Sequence, residues 1–303
     1  MTSNIKYIHV VVNPASGQPE PVLSTLNSVF YPAGIKWGVS ITAAGGDAKR
    51  FAEEAVARGA DLVLAYGGDG TQMEVAQGLR GSDVPMAILP GGTANLLSVE
   101  LGIPKDLAQA VQLAVDKNST TRPVDMGRVV VGDDTNYEFI LRIGIGLEGK
   151  KIEKADRQMK DKYGELAYTI GGAEAMHEAQ AAKYHLVLDG KEIETEGVNL
   201  LITNAGNFGM KGKTRWKEIS VSDGQLDVLV ATSKGLRTVA AAAKDVIGKG
   251  SESASHPMWH AKEISIVADP PQLINGDGEL WGNTPIKIQV IPAAVNVVVA
   301  ASA

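Results

Sequence analysis

The chain has 303 residues, 44% of them apolar and 21% charged, no cysteine, and a formal charge of −6 from 29 Lys+Arg against 35 Asp+Glu. Its length exceeds the roughly 250 residues at which one core stops growing, so two domains are expected. The missing cysteines exclude disulfides and thiolate metal sites and are compatible with a reducing cytosol, and the acidic balance argues against a nucleic-acid partner. The opening "MTSNIKYIHVVVNPASG" breaks its apolar run too early for a signal peptide. No later stretch approaches the roughly 20 apolar residues of a membrane span, so the expectation is a soluble, cytoplasmic protein that at most visits a membrane surface.

Short apolar runs at Tyr7–Val12, Gly38–Thr42, Leu62–Tyr66 and Pro85–Leu89 predict strands. Between them "PVLSTLNSVF", "DAKRFAEEAVARG" and "TQMEVAQGLRG" place apolar residues at three- and four-residue spacing, and "KDLAQAVQLAVDKN" adds a further helix. This is a βαβ rhythm, and strands so continuously apolar suit a parallel sheet covered on both faces, with ligands beyond the carboxyl ends of the strands. From about Val129 the pattern turns strand-rich: "NYEFILRIGIG", "KYHLVLDGKEIETEGVNLLITN", "EISVSDGQLDVLVA", "KEISIVAD" and "TPIKIQVIP", with Asp189-Gly190 as a hairpin turn. Two helical insertions interrupt this antiparallel sandwich, Glu148 to about Gln180 and "GLRTVAAAAKDVIGKG". The expected organisation is therefore an α/β domain over 1–128, rejoined by the apolar end 294–303, and a β-sandwich over 129–293.

The chemistry gathers in loops that follow strands. In "AYGGDGTQMEVAQGL" a strand gives way to Gly67-Gly68-Asp69-Gly70-Thr71 and then a helix, which presents backbone N–H groups, the helix dipole and a hydroxyl to a phosphate. Asp69 is out of place beside a phosphate unless a cation lies between them or nearby N–H groups bond it, and Mg²⁺ bridging through water is the natural solution. A lone Gly-Asp-Gly is more simply a tight turn that caps a helix. A second loop of the same kind, "GGTANLLSVELGIP" with Gly92, Thr93 and Asn95, follows the next strand. Two such loops in one sheet converge on one crevice, and a nucleotide's phosphates are their common ligand. "NPASG" after the first strand adds Asn13, Ser16 and Gly17 as polar contacts, and Thr42 ends the second strand. His256 and His260 in "HPMWH" have helical ligand spacing, but Pro257 between them and the lack of an acidic partner motif make a metal site there improbable.

Neither loop fits the two common nucleotide fingerprints. Taken in order, "NPASG", "GGDGTQMEVAQGL", "LPGGTANLLSVELGIP", "RPVDMG", "SDGQLDV" and "NGDGE" resemble the diacylglycerol kinase catalytic-domain family, which includes bacterial lipid kinases and sphingosine and ceramide kinases. The likeness spans essentially the whole chain. It implies an α/β domain resembling phosphofructokinase and NAD kinase, a C-terminal β-sandwich and a nucleotide site in the cleft. It further implies that ATP is the phosphoryl donor, with Mg²⁺, and that a diacylglycerol-like or related lipid alcohol at a membrane surface is the acceptor. By position, the ATP contacts fall on Gly67, Gly68, Asp69, Gly70, Thr71, Gln72 and Met73, with Thr42 and Thr93 matching further ones. Asp69 matches the metal-linked aspartate, and Asp125 another acidic position near the catalytic magnesium. Glu279 matches the proton acceptor, with Asp277 a neighbouring candidate. A second, structural metal of some bacterial members falls on Ser220, Asp223 and Gln225.

The chain also departs from that pattern. Leu96 stands where bacterial members often carry an aspartate, Gln18 where a basic residue often follows "NPxSG", and Met73 where an asparagine is common. Set against the resemblance, these departures imply an altered metal site and fewer phosphate contacts. "GKKIEKADRQMKDKYG" and "MKGKTRWK" are locally basic, and Trp216 suits a headgroup boundary, although solvated faces explain such stretches as well. A homodimer is left open. Three functions are carried forward: a lipid kinase, an NAD kinase, and a non-catalytic nucleotide- or lipid-binding protein. The sandwich motifs favour the first, and the absent "G-x-x-G-F-L" cluster disfavours the second. Leu96 motivates the third.

Overall fold

Parallel strands alternate with helices at the start of the computed structural model, which describes residues 5–16, 20–132, 135–146, 181–207, 218–231, 258–276 and 279–301. In order come β1 (Tyr7–Val12), α1 (Val22–Phe30), β2 (Lys36–Ile41), α2 (Asp47–Ala57), β3 (Leu62–Gly67), α3 (Asp69–Leu79), β4 (Met86–Pro90), α4 (Leu96–Glu100) and α5 (Leu107–Val115). The strands pair in parallel in the order β2-β1-β3-β4. The end of the last strand, β16 (Ile286–Ala300), adds a further parallel partner through Val297 opposite Met86. All of β3 and β4 is buried, as both-sided helix cover requires. Because β2 and β3 flank β1 on opposite sides, the chain reverses direction across the sheet at β1 and β3. The carboxyl ends of those two strands are where an open α/β sheet binds ligands.

One buried group in this sheet has a pH consequence. His9 on β1 is 2% exposed, with Nδ1 3.1 Å from the Tyr7 hydroxyl and Nε2 2.9 Å from the Ser40 hydroxyl. Burial lowers its pKa below the usual 6.5; the Arg58 charge adds to this and Glu54 opposes it. The folded chain therefore binds fewer protons here than the unfolded chain. The stabilisation is complete above pH 6.5 and is lost as pH falls from there toward the folded value. We expect the urea midpoint to fall between about pH 7.5 and 5.5, a window around the free imidazole pKa, and to fall less in His9→Gln. Equal falls would remove His9 as the source.

The rest of the chain is antiparallel. Its strands are β5 (Ser119–Val131), β6 (Thr135–Phe139), β7 (Arg142–Gly146), β8 (Ala182–Leu188), β9 (Lys191–Gly197), β10 (Asn199–Thr203), β11 (Leu226–Ala231), β12 (Met258–Ala261), β13 (Glu263–Asp269), β14 (Leu273–Gly276) and β15 (Glu279–Asn283). The first part of β16 continues through β13 and β8 to β9, with β5 and β6 alongside, while a second sheet runs β12-β11-β10-β7-β14-β15. Alternate residues from the two sheets, Tyr184, Leu186, Ile264 and Ile266 from one and Ile145, Leu200, Ile202 and Val228 from the other, share one apolar core. That is the predicted sandwich. Asp189 and Gly190 both adopt positive φ, 48° and 83°, as the two-residue hairpin turn between β8 and β9 demands.

By contact the chain forms two units: Met1–Asp125 with Ala205–Asp223 and Pro292–Ala303, and Met126–Asn204 with Gly224–Ile291. Both β5 and β16 pass from one unit to the other within a single strand. Two strand expectations are corrected. "NYEFILRIGIG" is two strands on different sheets, parted at Ile140 and Leu141, which are 1% and 5% exposed, so the apolar pattern carries no break. In "EISVSDGQLDVLVA" only Leu226–Ala231 is a strand; Ile219 and Val221 are buried from a turn region, where the Asp125 N–H donates to the Val221 carbonyl. The predicted helical insertions, both basic stretches, Trp216 and His256 lie outside the described residues, and His260 is on a strand, not a helix.

Candidate functional site

At the carboxyl end of β3 the chain turns into α3 under tight steric limits. A Cβ on Gly67 would lie 2.5 Å from Thr71 Oγ1, so only glycine lets that side chain fold back over the turn. The Thr71 hydroxyl is buried and accepts from Asn13 Nδ2 at 3.0 Å, while the Asn13 N–H donates to the Tyr66 carbonyl at 2.9 Å. Asn13 Oδ1 accepts from the Ala15 N–H and closes its own turn. The loop after β1 is thereby fixed to the loop after β3.

The loop after β4 joins them. A Cβ on Gly92 would stand 2.5 Å from Gly68 Cα, and the Gly91 N–H donates to the Gly67 carbonyl at 2.9 Å. The two glycine loops lie backbone against backbone. Asn95, in the left-handed region at φ 49°, closes the second loop on itself: Oδ1 accepts from the Gly92 N–H and Nδ2 donates to the Gly92 carbonyl. Thr93 is exposed at its tip.

Asp69 opens α3, and its Oδ1 accepts from the Leu97 N–H at 3.2 Å, in the first turn of α4. That short helix has no side-chain cap of its own, so a carboxylate 28 residues upstream supplies one. The N-cap residue of α3, Gly68, has no side chain to cap with, and Gly70 is exposed with nothing within 4 Å of where its Cβ would be. Gln72 and Met73, 0% and 5% exposed, turn inward. Gln72 Nε2 reaches the Gly67 carbonyl at 3.3 Å and Ser98 Oγ at 3.5 Å, a brace beneath both loops, so a ligand could meet these two residues only through backbone.

Thr42 is half-buried, with its N–H donating to the Val12 carbonyl. The loop beyond it is already filled by carboxylates. Asp47 Oδ2 accepts from the N–H groups of Ala43 and Ala44, and Glu74 accepts from those of Gly46 and Ala48 at the start of α2. The Arg50 guanidinium bonded to Asp47, with those two N–H donors, holds the Asp47 carboxyl down at about 2. Sequence reasoning did not find Glu74, because its partners lie 26 and 28 residues away. Its effect is to leave the start of α3, not that of α2, as the N-terminus open to an anion.

Asp125 on β5 is 2% exposed; its N–H donates to the Val221 carbonyl and its Oδ1 accepts from the Ala293 N–H, both at 2.7 Å. Beside it Arg122 Nε donates to Ser222 Oγ, which donates to the Pro123 carbonyl, and Ser220 Oγ accepts from the Ser222 N–H. Ser220 therefore sits in a turn held against the start of β5. Asp223 is exposed and Gln225 half-buried. Among the described residues no group of three or more His, Cys, Asp or Glu side chains could hold a metal. Glu279 is exposed on β15 opposite Gly276 of β14; the Trp281 ring fills the place of a Gly276 Cβ and stacks on Tyr137 at 4.6 Å. Asp277 lies outside the described residues.

Residues 7–129 match the family described as the diacylglycerol kinase catalytic domain, and residues 142–299 match the YegS C-terminal NAD kinase beta sandwich-like domain. An uncharacterized protein of Synechocystis is 30% identical over 82% of this chain, which spans 57% of that protein's length. The diacylglycerol kinase of Bacillus subtilis is 28% identical over 93% of this chain and 92% of its own. A solved diacylglycerol kinase structure from Bacillus anthracis superposes with a TM-score of 0.75, at 28% identity and over 97% of both chains. No helix among the described residues is long and apolar enough to cross a membrane.

Proposed function

This chain belongs to the diacylglycerol kinase catalytic-domain family, and on that premise we propose that it transfers the γ-phosphate of ATP to the hydroxyl of a diacylglycerol-like lipid or related lipid alcohol. The observation that carries the reading is the backbone contact of two glycine loops, Gly68 against Gly92, beside the uncapped start of α3. Backbone N–H groups at a helix start, with no side chain in the way, are what a triphosphate needs. Phosphoryl transfer asks the protein mainly for positioning and charge neutralisation.

In this reading Asn13, Gly67, Gly68, Gly70, Thr71, Gly92, Thr93 and Asn95 shape the phosphate cradle, and Thr42 contributes farther along the nucleotide. Mg²⁺ is commonly held by one or two carboxylates, waters and phosphate oxygens, so it does not need the three-residue cluster that is missing among the described residues. Asp69 and Asp125 would hold that ion, which when bound neutralises the transferring phosphate. Ser220, Asp223 and Gln225 would hold a second, structural one. Asp69 also keeps α4 against the first loop through Leu97. Glu279, or Asp277 beside it, takes the acceptor hydroxyl's proton, and the hairpin bearing Glu279 is stiffened by the Trp281–Tyr137 stack. The protein works at a cytoplasmic membrane surface, and a homodimer is compatible with it.

The test supplies Mg²⁺ and γ-labelled ATP with mixed micelles of diacylglycerol, other lipid alcohols, or NAD. Label in a lipid supports the reading. Label in NAD alone replaces it with an NAD kinase, and nucleotide binding without label in any acceptor replaces it with a binding protein. Gly70→Ala gives a sharper check. In the first turn of α3, alanine should raise stability by about 0.5–1 kcal/mol through propensity, yet its methyl group enters the space proposed for phosphate. We expect a higher Tm together with a raised KM for ATP. An unchanged KM would take phosphate away from Gly70.

A further inference from the structure

In the α/β unit, the helix that starts at the glycine loops is locked to its neighbour at two points. On α3, Glu74 and Gly78 stand four residues apart and share one face. A Cβ on Gly78 would overlap the Lys49 carbonyl oxygen and lie 2.8 Å from Ala52 Cβ, so α3 meets α2 there with no room for a side chain. One turn nearer the start of α3, Glu74 Oε1 accepts from the Gly46 N–H at 2.9 Å and Oε2 from the Ala48 N–H at 3.1 Å. The half-buried Glu74 thus spends both oxygens on the backbone that follows β2, and the loop after β2 is carried by α3.

The clamp also sets the chemistry of that loop. With Asp47 Oδ2 taking the N–H groups of Ala43 and Ala44, four N–H donors of residues 43–48 are bonded to carboxylates. An incoming ligand therefore meets acceptor oxygens and negative charge here, the opposite of the start of α3. Neighbouring strands lie about 4.8 Å apart, so β2 runs about 10 Å from β3 with β1 between them. A nucleotide with its phosphates at α3 spans that distance along the crevice at β1 and β3. Its uncharged end, which carries hydroxyl and amino donors, suits the loop after β2, and a phosphate does not.

We propose that Glu74 is a positioning residue for the nucleoside end of the nucleotide: it ties the loop after β2 to the helix that starts at the phosphates and so fixes the distance between the two ends. The inference rests on the reading of the glycine loops as a triphosphate site. The test titrates ATP and inorganic tripolyphosphate, each with Mg²⁺, into the intact chain and into Glu74→Gln by calorimetry. Glutamine keeps the shape and one acceptor oxygen, but its NH₂ group cannot accept from the second N–H. The Kd for ATP should rise about tenfold in the variant, the scale of one charge-assisted hydrogen bond. Tripolyphosphate, which has no nucleoside end, should keep its Kd. An equal rise for both ligands would overturn the proposal, because Glu74 would then serve the fold alone, and so would no rise for either. Binding of ATP no tighter than tripolyphosphate by the intact chain would also overturn it, by taking the nucleoside away from the loop, and would leave the phosphate site standing. Binding of neither ligand by the intact chain would overturn both.

Discussion

Asp69→Asn is expected to lower kcat for phosphate transfer by about 10²- to 10³-fold, the usual loss when one electrostatic element of a transition-state site is removed. The substitution separates two roles of one side chain. An asparagine Oδ1 still accepts from the Leu97 N–H, so α4 keeps its cap and the fold its stability. Only the charge is lost, and with it the ligand for a divalent ion. Steady-state kinetics with Mg²⁺ and ATP, beside a thermal melt, read both roles at once. Turnover near that of the parent would end the assignment, whereas a collapsed Tm would show that the carboxylate serves the fold first. Asp69→Ala, by contrast, also discards the cap, at about 1 kcal/mol.

Gly92→Ala should damage binding and folding together. Its methyl carbon would stand 2.5 Å from Gly68 Cα, against the roughly 3.5–4.0 Å of a carbon–carbon contact. The obstacle is backbone, so no rotamer change relieves it, and the two loops must part. Overpacking of this kind costs about 1–3 kcal/mol, and separated loops should raise the dissociation constant for ATP by about tenfold or more, each 1.4 kcal/mol being a factor of ten. Calorimetric titration and a melt measure the two. Parental values in both would show that the loops do not need their contact. Paired with Gly70→Ala, where stability should rise, the result separates a glycine required by the protein from one required by its ligand.

The α/β half was legible because β1, β3 and β4 are buried along almost their whole length, so each appears as an unbroken apolar run: Tyr7–Val12 has the predicted bounds. The same signal misled in the sandwich. At Ile140 and Leu141, and again at Val198, the chain changes sheets through residues that remain buried and apolar, so hydropathy does not register the turn. The glycines announced two loops but not their contact, because approach between Gly68 and Gly92 depends on how β3 and β4 pair. Gln72 and Met73 were legible in principle: three-and-four spacing places Gln72 on one helix face with Ala76 and Leu79, both buried, and that face packs inward. The Asp69–Leu97 and Glu74–Gly46 bonds join residues 28 apart in sequence and leave no local trace.

The two contact units exchange the polypeptide at 125/126, 204/205, 223/224 and 291/292. No contiguous fragment can therefore be one unit alone: a piece that holds all of Met126–Asn204 and Gly224–Ile291 also carries 205–223 of the other. A piece ending before Pro292 would strip the parallel sheet of the strand that pairs with Met86, and a piece beginning after Asp125 would lack most of one unit, carry that unit's 205–223 as a remnant and start inside β5. Dissection by truncation should yield insoluble products at every cut, so roles in this protein are best assigned by point substitution in the intact chain.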